Sequence, residues 1–392
     1  FLLDPRYQPL TLESSPSSQG LVSLNGSTPS GSINVRVRVD KAQVLEAFPK
    51  PGFVFYGWYE EQQTGSRPVG LQPVSRDNPF RIVPGGERTL TAAFAPRVFQ
   101  MGNTRPDGFS DPTNSSTPVH TVRFTYDFWV SPFEFTHEEM VEFLNDTGVA
   151  SDGKTTDGYQ IVDLRPTSES AGEIYLSYQG DRFVVEAGKE THPYPQVSFR
   201  GATRVANWMS EKEGYPPAYD ANGLLIDSTG ATTSDITQVK GYRLPTDAEW
   251  EYCARGGDAD FINGVEQNDT VYSGSADALE VAWVAENSGD TTHPVGQKKP
   301  NEGGYYDMTG NVSEWVTDFS YPYSAESVEN PVQFEPRPDD LTGCHLYRGG
   351  GFHNSITPPN TNQILQKHGN LIFTLDFLSF YTIEIRLART LP

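Results

Sequence analysis

Alternation of apolar and polar residues marks the first clear strand of the chain. Val35, Val37 and Val39 alternate with Arg36 and Arg38, which predicts one apolar and one solvated face. Apolar runs bounded by proline and glycine predict three further strands, at 44–48, 53–58 and 89–94. The pattern indicates a small all-β domain over residues 35–96.

The residues on either side of that domain differ from it in composition and in the pattern of apolar positions. Residues 1–34 are rich in Ser, Gly and Pro, a composition that predicts a linker or ragged strands. Beyond residue 96 the alternation of strands gives way to mixed patterns, and we predict one larger domain over 97–392. Its first elements are strands between 119 and 130, followed by strand-like runs at 174–178 and 182–185.

Helical periodicity and capping signals predict three helices in the larger domain. Thr136 and Glu139 form a capping box ahead of an apolar face that continues to Gly148. A second helix is predicted over about 202–213. Thr246 and Glu249 form another capping box, which predicts a short third helix.

The first predicted helix also carries a group of possible metal ligands. They are His137, Glu138, Glu139 and Glu142. This group is either a metal set or the solvated face of an amphipathic helix, and the second interpretation is the commoner one for such a pattern.

The length of the chain and its net charge limit the number of domains and the kinds of partner it can have. The chain has 392 residues, which favours two to three domains, and its formal charge is −22. So negative a chain argues against nucleic acid and against an anionic membrane as partners, because both would be repelled. No apolar run is long enough for a membrane span, so we expect no membrane insertion. Because the first residue is Phe1 rather than Met, we expect the chain to be processed or trimmed, and the former presence of an export signal or lipid anchor is left open.

The two cysteines provide neither a disulfide framework nor a paired-thiol motif. Cys253 and Cys344 are far apart in the sequence and no CxxC spacing occurs. One bridge between them and two buried free thiols both remain open.

The segment from Tyr305 to Trp315 contains the clearest candidate for a cation site. It combines a Thr-Gly-Asn turn with the carboxylates of Asp307 and Glu314, a mixture that suits a buried loop around a hard cation such as calcium. The alternative is a tight turn in which the two carboxylates bond only to backbone amides.

Two resemblances follow from quoted motifs. Pro51-Gly52-Phe53, Gly57-Trp58, Asn78-Pro79-Phe80 and the run from Thr89 to Phe94 resemble the short β-repeats of bacterial surface proteins related to the internalin B-repeat. That resemblance implies a spacer domain.

The larger domain resembles the sulfatase-modifying-factor family, which includes the formylglycine-generating enzymes. The motifs that carry the resemblance occur in the family's order: Phe135-Thr136, His192-Pro193, Val197-Ser198, Ala206-Asn207-Trp208, 241–257, Glu286-Asn287, 293–296, 307–315, Arg348-Gly349-Gly350 and 386–389. The resemblance implies an α+β, C-type-lectin-like fold.

Carried over position by position, the resemblance also implies which residues would bind calcium and shows that the copper-binding cysteines of the family's oxidases are missing here. A calcium ion would be held by the side chains of Asp307 and Glu314 and by the carbonyls of Gly310 and Val312. The family's oxidases bind copper through two cysteines that fall here at Asn354 and Pro359, so no copper is expected, because soft thiolates are the ligands that hold Cu(I).

The segment 353–381 is unusually rich in aromatic and aliphatic residues, which predicts a ligand-binding face. The alternative is that half of these side chains belong to core strands. The candidate contact residues are His353, Asn354, Ile356, Gln363, Leu365, Lys367, His368, Leu371, Phe373, Asp376, Phe377, Phe380 and Tyr381.

The segment also resembles, by position and composition, the hypervariable part of the variable proteins of diversity-generating retroelements. Glu384-Ile385 departs from the Gly-Phe that usually precedes Arg386. We therefore expect a non-catalytic recognition protein on an extracellular or cell surface, binding a protein or glycan on another surface. The alternatives are a structural subunit of a surface assembly and a modifying enzyme of the formylglycine-generating type. The sequence does not set the oligomeric state.

Overall fold

The structure is a computed structural model that divides into two compact units. It describes residues 4–60, 74–102, 117–156, 158–162, 174–262, 265–336, 345–356, 370–373 and 383–391. The first unit comprises Phe1–Val98, Arg123–Asp127 and Ile262–Gly264, and the second comprises Phe99–Val122, Phe128–Phe261 and Val265–Pro392. Among the described residues, no helix is long and apolar enough to cross a membrane.

Strands dominate the first unit. Their bounds are β1 Tyr7–Ser15, β2 Gly20–Leu24, β3 Ser32–Arg38, β4 Gln43–Pro49, β5 Phe53–Glu60, β6 Phe80–Ile82 and β7 Arg88–Met101, the last of which extends beyond the unit. One sheet has the order β5-β7-β1-β3, with β1 and β7 parallel, and a second has the antiparallel order β2-β4-β6. Alternate residues of these strands form the core, in which Trp58 is completely buried.

The strands predicted at 44–48, 53–58 and 89–94 are confirmed as β4, β5 and part of β7. Of the two alternatives for residues 1–34, a linker or ragged strands, the structure has strands, β1 and β2. Leu10 and Leu12 of β1 are completely buried. These two apolar residues, spaced with the strand period, are enough to hold β1 in the core despite its Ser-rich flanks. In β3, Val37 is buried but Val35 is 38% exposed, so the predicted apolar face is only partly covered.

Four helices lie in the described part of the second unit. They are α1 His137–Asp146, α2 Phe199–Lys212, α3 Asp247–Ala254 and α4 Ala278–Val281. Both predicted capping boxes are confirmed, at Thr136 and at Thr246. The second predicted helix is real but begins earlier, because Ser198 caps it by accepting the amide hydrogen of Gly201.

Short strands make up the rest of the second unit. They are β8 His120–Phe124, β9 Phe128–Val130, β10 Leu176–Gln179, β11 Arg182–Val185, β12 Tyr242–Arg243, β13 Phe261–Ile262, β14 Val265–Glu266, β15 Ser313–Phe319, β16 Val328–Glu329, β17 His345–Arg348, β18 Asn370–Phe373, β19 Ile383–Glu384 and β20 Ala388–Thr390. A few of these lie partly in stretches assigned to the first unit. The sheet that matters most for the site has the order β18-β17-β15-β19, in which β15 and β19 run parallel. Few helices among many short strands confirm the α+β class.

The group at the start of α1 is a solvated helix face for Glu138 and Glu142, which are exposed, whereas His137 departs from both predicted arrangements. His137 is completely buried, its Nδ1 lies 3.0 Å from the carbonyl oxygen of His192, and its Nε2 accepts the amide hydrogen of Tyr175. Both ring nitrogens are therefore committed to backbone groups. Glu139 is used in the capping box, so the four side chains do not converge on one point.

Candidate functional site

A buried ion pair on the central strand organises the candidate site. Glu314 on β15 and Arg386, just before β20, are both completely buried. Arg386 donates from Nη2 to Oε1 of Glu314 at 2.6 Å and from Nε to Oε2 at 2.8 Å. The indole Nε1 of Trp250 also donates to Glu314 Oε2, at 2.6 Å. Arg386 makes further hydrogen bonds to the carbonyl oxygens of Ser131 and Tyr306.

Two more carboxylates lie beside this pair. Glu384 is next to Glu314 in the parallel register of β19 and β15, and Glu134 comes from the segment before α1. Glu134, Glu314 and Glu384 each offer a ligand atom within 4.8 Å of the others, and all three are buried. This arrangement, which we call the carboxylate trio, could hold a metal ion.

The environment of the trio opposes three full negative charges. Burial raises the pKa of Glu134 well above its usual value, and the nearby carboxylates of Asp307 and Glu314 add to the rise. Burial likewise raises the pKa of Glu384, and Glu314 and Glu134 contribute further. Arg386 acts in the opposite direction on both groups but pairs directly only with Glu314.

Hydrogen bonding differs sharply between the two outer members of the trio. Glu134 accepts from the Val312 amide at 3.0 Å and from Asn311 Nδ2 at 2.6 Å. Glu384 accepts from the Phe135 amide through Oε2 at 2.8 Å, whereas its buried Oε1 has no hydrogen-bond partner. An orphaned carboxylate oxygen in a dry site is costly unless a cation or proton approaches it.

The predicted calcium loop fits a cation at one end. Asp307 lies in the left-handed region with φ of 58° and is 2% exposed. Its Oδ2 accepts the Gly296 amide hydrogen at 2.7 Å, and its Oδ1 is buried without a partner. Burial raises the pKa of Asp307 to about 6. The free Oδ1 therefore suits a hard cation.

The other end of the loop is already engaged. Both oxygens of Glu314 bind Arg386 and Trp250, so this side chain is not in the amide-only turn that was the alternative interpretation. Gly310 has φ of 79°, and a Cβ there would lie 2.3 Å from the carbonyl oxygen of Trp283. Val312 packs its side chain in the interior, and its amide binds Glu134.

Sequence reasoning missed Glu134 and Glu384 as members of the site. Glu134 directly precedes the Phe135-Thr136 motif, and nothing in its spacing marks it. Glu384 did carry a signal, because it stands where the family usually has glycine. A charged residue in an otherwise apolar closing segment could have been recognised as a buried partner for other charges.

Buried arginines flank the predicted ligand-binding segment on both sides. Arg348, at the end of β17, is completely buried and forms ion pairs with Asp247 at 2.6 Å and Glu251 at 3.2 Å. Arg386 follows β19. Since β17 and β19 both pair with β15, the segment begins and ends on strands flanking the same central strand.

The first residues of that segment are held by the loop around residue 286. Asn354 accepts the Gly351 amide hydrogen at 2.7 Å, which forms a turn. Glu286 accepts from the Ser355 hydroxyl at 2.5 Å and from the Ile356 amide at 3.0 Å. Ile356 also packs against a small core cluster around Val281, whereas His353 is exposed.

The other candidate contact residues remain predictions. The backbone of Leu371 and Phe373 belongs to β18, which pairs with β17, but their side chains lie outside the described residues. Gln363, Leu365, Lys367, His368, Asp376, Phe377, Phe380 and Tyr381 also lie outside them.

The described thiol is not arranged for metal or redox chemistry. Cys253 on α3 is free and 1% exposed, and burial raises the pKa of its thiol to about 12. A thiol with so high a pKa is a poor ligand and nucleophile at neutral pH. Cys344 and Pro359 lie outside the described residues, and Asn354 is part of the turn at the start of the segment.

Comparison with protein families and known proteins supports the resemblance drawn from the motifs. The model of the sulfatase-modifying factor enzyme 1-like domain matches residues 70–369. Chaperone protein LppX of Paenibacillus barcinonensis is 36% identical over 201 residues, which are 45% of this chain and 63% of that protein. The chain thus spans less than two thirds of that relative. The formylglycine-generating enzyme of Streptomyces coelicolor is 26% identical over 324 residues, which are 74% of this chain and 86% of the enzyme.

A solved structure is also similar. Treponema denticola variable protein 1 matches with a TM-score of 0.48 and 23% identity, over 75% of this chain and 94% of that one.

Proposed function

Because the chain belongs to the sulfatase-modifying factor enzyme 1-like family, we propose that it uses the family's scaffold for recognition rather than catalysis. The proposed ligand-binding face is the segment 353–381. The observation that carries the proposal is the pair of completely buried, ion-paired arginines, Arg348 and Arg386, at the two ends of this region. A scaffold fixed at both ends tolerates many side chains between them, because its stability is held elsewhere.

The lack of cysteine at the two positions that bind copper in the family's oxidases supports a non-catalytic role. The chain has two cysteines, and the oxidase positions hold Asn354 and Pro359. Cys253 is buried in α3 with a raised pKa, which leaves it unsuited to Cu(I). The identity to a formylglycine-generating enzyme keeps catalysis as a second candidate.

A protein or glycan on another surface is the proposed ligand. The name of the Paenibacillus relative, a chaperone protein, favours a polypeptide. The formal charge of −22 argues against nucleic acid. The resemblance of residues 35–96 to surface-protein repeats supports a location on the cell surface, with the first unit acting as a spacer. A structural subunit that uses the same face for self-assembly is the competing role.

We further propose that calcium supports the scaffold through Asp307, Glu314 and the carbonyls of Gly310 and Val312. The unpartnered Oδ1 of Asp307 supports this assignment. The calcium would neutralise buried carboxylate charge and hold the turn, and it would take no part in chemistry.

Two experiments test the recognition role. The first screens the purified chain on glycan and peptide arrays beside the double variant Phe377→Ala/Tyr381→Ala. Tyr178→Ala, at an aromatic residue 43% exposed in the second unit, is the control. Binding that the double variant loses and the control keeps is expected. Equal binding by all three proteins would place the contact face elsewhere.

The second experiment sequences the 3′ end of the gene in many sibling cells. Variation confined to codons 353–383 would identify a diversified receptor, whereas a uniform sequence would leave a binder of fixed specificity. Molecular mass measured against concentration separates that binder from an assembly subunit. Oxygen consumption or aldehyde formation with Cu(I) and a cysteine-containing peptide would instead support the alternative that the protein is a modifying enzyme of the formylglycine-generating type.

A further inference from the structure

The carboxylate trio carries more negative charge than its described surroundings balance. Glu134, Glu314 and Glu384 are 2%, 0% and 0% exposed, so water does not screen them. Arg386 is the cation in contact with the trio, and it pairs with Glu314 alone. With all three carboxylates ionised, the trio and one guanidinium would have a net charge of −2, which one divalent cation would cancel. Isolated buried charge at this level is otherwise prohibitive.

The geometry of the trio matches the needs of a hard cation. Its ligand atoms lie within 4.8 Å of one another, a spacing that a single ion can bridge when metal–oxygen distances are about 2.3–2.6 Å. Oxygen is the ligand that hard divalent cations prefer, and the trio supplies oxygen alone.

A second observation points to a ligand independently of the clustering. The Oε1 atom of Glu384 is buried and has no hydrogen-bond partner, although its other oxygen is held by the Phe135 amide. The Phe135 bond and the parallel pairing of Glu384 with Glu314 fix the carboxylate in place. A carboxylate oxygen that is buried, oriented and without a protein partner is stabilised when a cation, a proton or a hydrogen-bond donor binds it, and a cation also offsets its charge.

We propose that Glu134, Glu314 and Glu384 form a binding site for one hard divalent cation of the calcium class, with Glu384 as the ligand that makes the site. This inference keeps the cation of the proposed function and the ligand Glu314 but replaces the Asp307 loop as its place, putting the ion between β15, β19 and the segment before α1. A cation there links β19, which follows the 353–381 region, to the central strand β15. The recognition role does not depend on it.

Terbium luminescence provides a direct binding test, because the Trp250 indole lies 2.6 Å from Glu314 and can transfer excitation to an ion bound there. The full chain is stripped of metal with a chelator and titrated with Tb³⁺, and calcium is then used to displace it. Sensitised emission from the wild type that calcium reverses is expected. Glu384→Gln keeps the shape but removes the charge, and it should weaken Tb³⁺ binding at least tenfold.

Two further variants separate this site from the loop proposed above. Glu211→Gln, at an exposed carboxylate on α2, is the control and should bind as the wild type does. Asp307→Asn should leave Tb³⁺ binding within about twofold of the wild type. If Asp307→Asn abolishes binding and Glu384→Gln does not, the ion sits in the Asp307 loop, and the trio assignment fails while the calcium proposal stands.

A finding that the carboxylate trio binds protons and no metal would also overturn the inference. If the stripped wild type binds neither Tb³⁺ nor calcium and Glu384→Gln melts at a higher temperature, protons rather than a metal satisfy the trio. Should Glu384→Gln fail to fold, anomalous scattering from Mn²⁺ soaked into crystals of the wild type decides the matter. A peak between the three carboxylates supports the site, and its absence refutes it.

Discussion

Arg386 binds both carboxylate oxygens of Glu314, at 2.6 and 2.8 Å, inside a part of the fold where both residues are completely buried. The pair joins β15 to the chain that follows β19. It therefore fixes the exit of the 353–381 region, as Arg348 fixes its entrance. The same pair also sets the charge balance of the carboxylate trio.

Removal of the Arg386 guanidinium should strongly destabilise the fold. Arg386→Met leaves Glu314 buried beside two further carboxylates, and we expect the free energy of unfolding to fall by about 3–5 kcal/mol. Urea unfolding followed by tryptophan fluorescence measures the change. Lys212→Met breaks an exposed ion pair with Glu142 and should cost no more than about 1 kcal/mol. Similar losses in the two variants would show that the buried pair is not a special anchor.

The turn at Gly310 should tolerate no side chain. Its φ of 79° and the carbonyl oxygen of Trp283, which would lie 2.3 Å from an added Cβ, oppose alanine for separate reasons. We expect Gly310→Ala to lower the free energy of unfolding by about 3 kcal/mol or more. Gly304, in the same loop, has φ of 80° and open space around it.

Gly304→Ala is therefore the matched control and should cost about 1–2 kcal/mol, because only backbone strain remains. Thermal melts of both variants measure the difference. Equal losses would mean that the close approach at Gly310 relaxes without cost.

The Thr246 cap should be worth more than a typical surface cap. Its side chain accepts the Glu249 amide hydrogen, and Glu249 in turn binds the Thr246 amide and holds Arg243 at 2.6 and 2.7 Å. All three residues are completely buried. We expect Thr246→Ala to cost about 2 kcal/mol, at the upper end of measured caps. Thr136→Ala, at the partly exposed cap of α1, should cost about half as much. Chemical denaturation of both variants measures the two losses, and equal values would show that burial adds nothing to the cap.

A neutral buried histidine should make the fold sensitive to acid. His345 stacks on Phe199 with ring centroids 3.4 Å apart, and burial lowers its pKa from 6.5 to about 3. Between those values the unfolded chain binds a proton that the folded chain rejects. The free energy of unfolding therefore falls as pH drops from 6.5 towards 3, by at most about 1.4 kcal/mol per pH unit for this group.

His345→Phe should flatten that slope while leaving stability above pH 7 nearly unchanged. Melting temperatures at half-unit pH steps measure the slope. His353→Phe, at an exposed position, is the control and should keep the slope of the wild type. A slope that persists in His345→Phe would assign the acid sensitivity to other groups.

Glu286 should restrain the start of the binding segment. Its carboxylate is exposed, so loss of its bonds to Ser355 and Ile356 costs only about 1 kcal/mol. Glu286→Ala should therefore raise the rate of limited proteolysis near residue 356 about fivefold, with little change in melting temperature. Glu211→Ala is the control. Unchanged cleavage would show that Glu286 does not hold the segment.

Local signals explain why much of the fold was predictable. Both capping boxes, the strands at 44–48 and 53–58, and the Asp307 turn depend on neighbours within a few residues, and the sequence displays those neighbours directly. β1 was covered only by the alternative of ragged strands in residues 1–34 and was not located, because a Ser-rich composition masked the period of Leu10 and Leu12.

The candidate site was less predictable because its geometry is non-local. Glu134, Glu314 and Glu384 are brought together by the pairing of β15 with β19 and by the segment before α1. No spacing in the sequence encodes that meeting. The prediction for His137 was wrong for the same reason, since its two partners, His192 and Tyr175, are distant in the chain.

The strand order β18-β17-β15-β19 also bears on how well the domain tolerates insertions into the region between Arg348 and Ile383. The region between Arg348 and Ile383 leaves the sheet after β17, contributes the edge strand β18 and returns on β19, so the cost of closing the parts on either side of β18 depends little on their length. Doubling such a loop adds only about 0.6 kcal/mol of closure entropy. Foreign peptides inserted there, even long ones, should leave the rest of the domain intact, which makes this scaffold a natural frame for grafting.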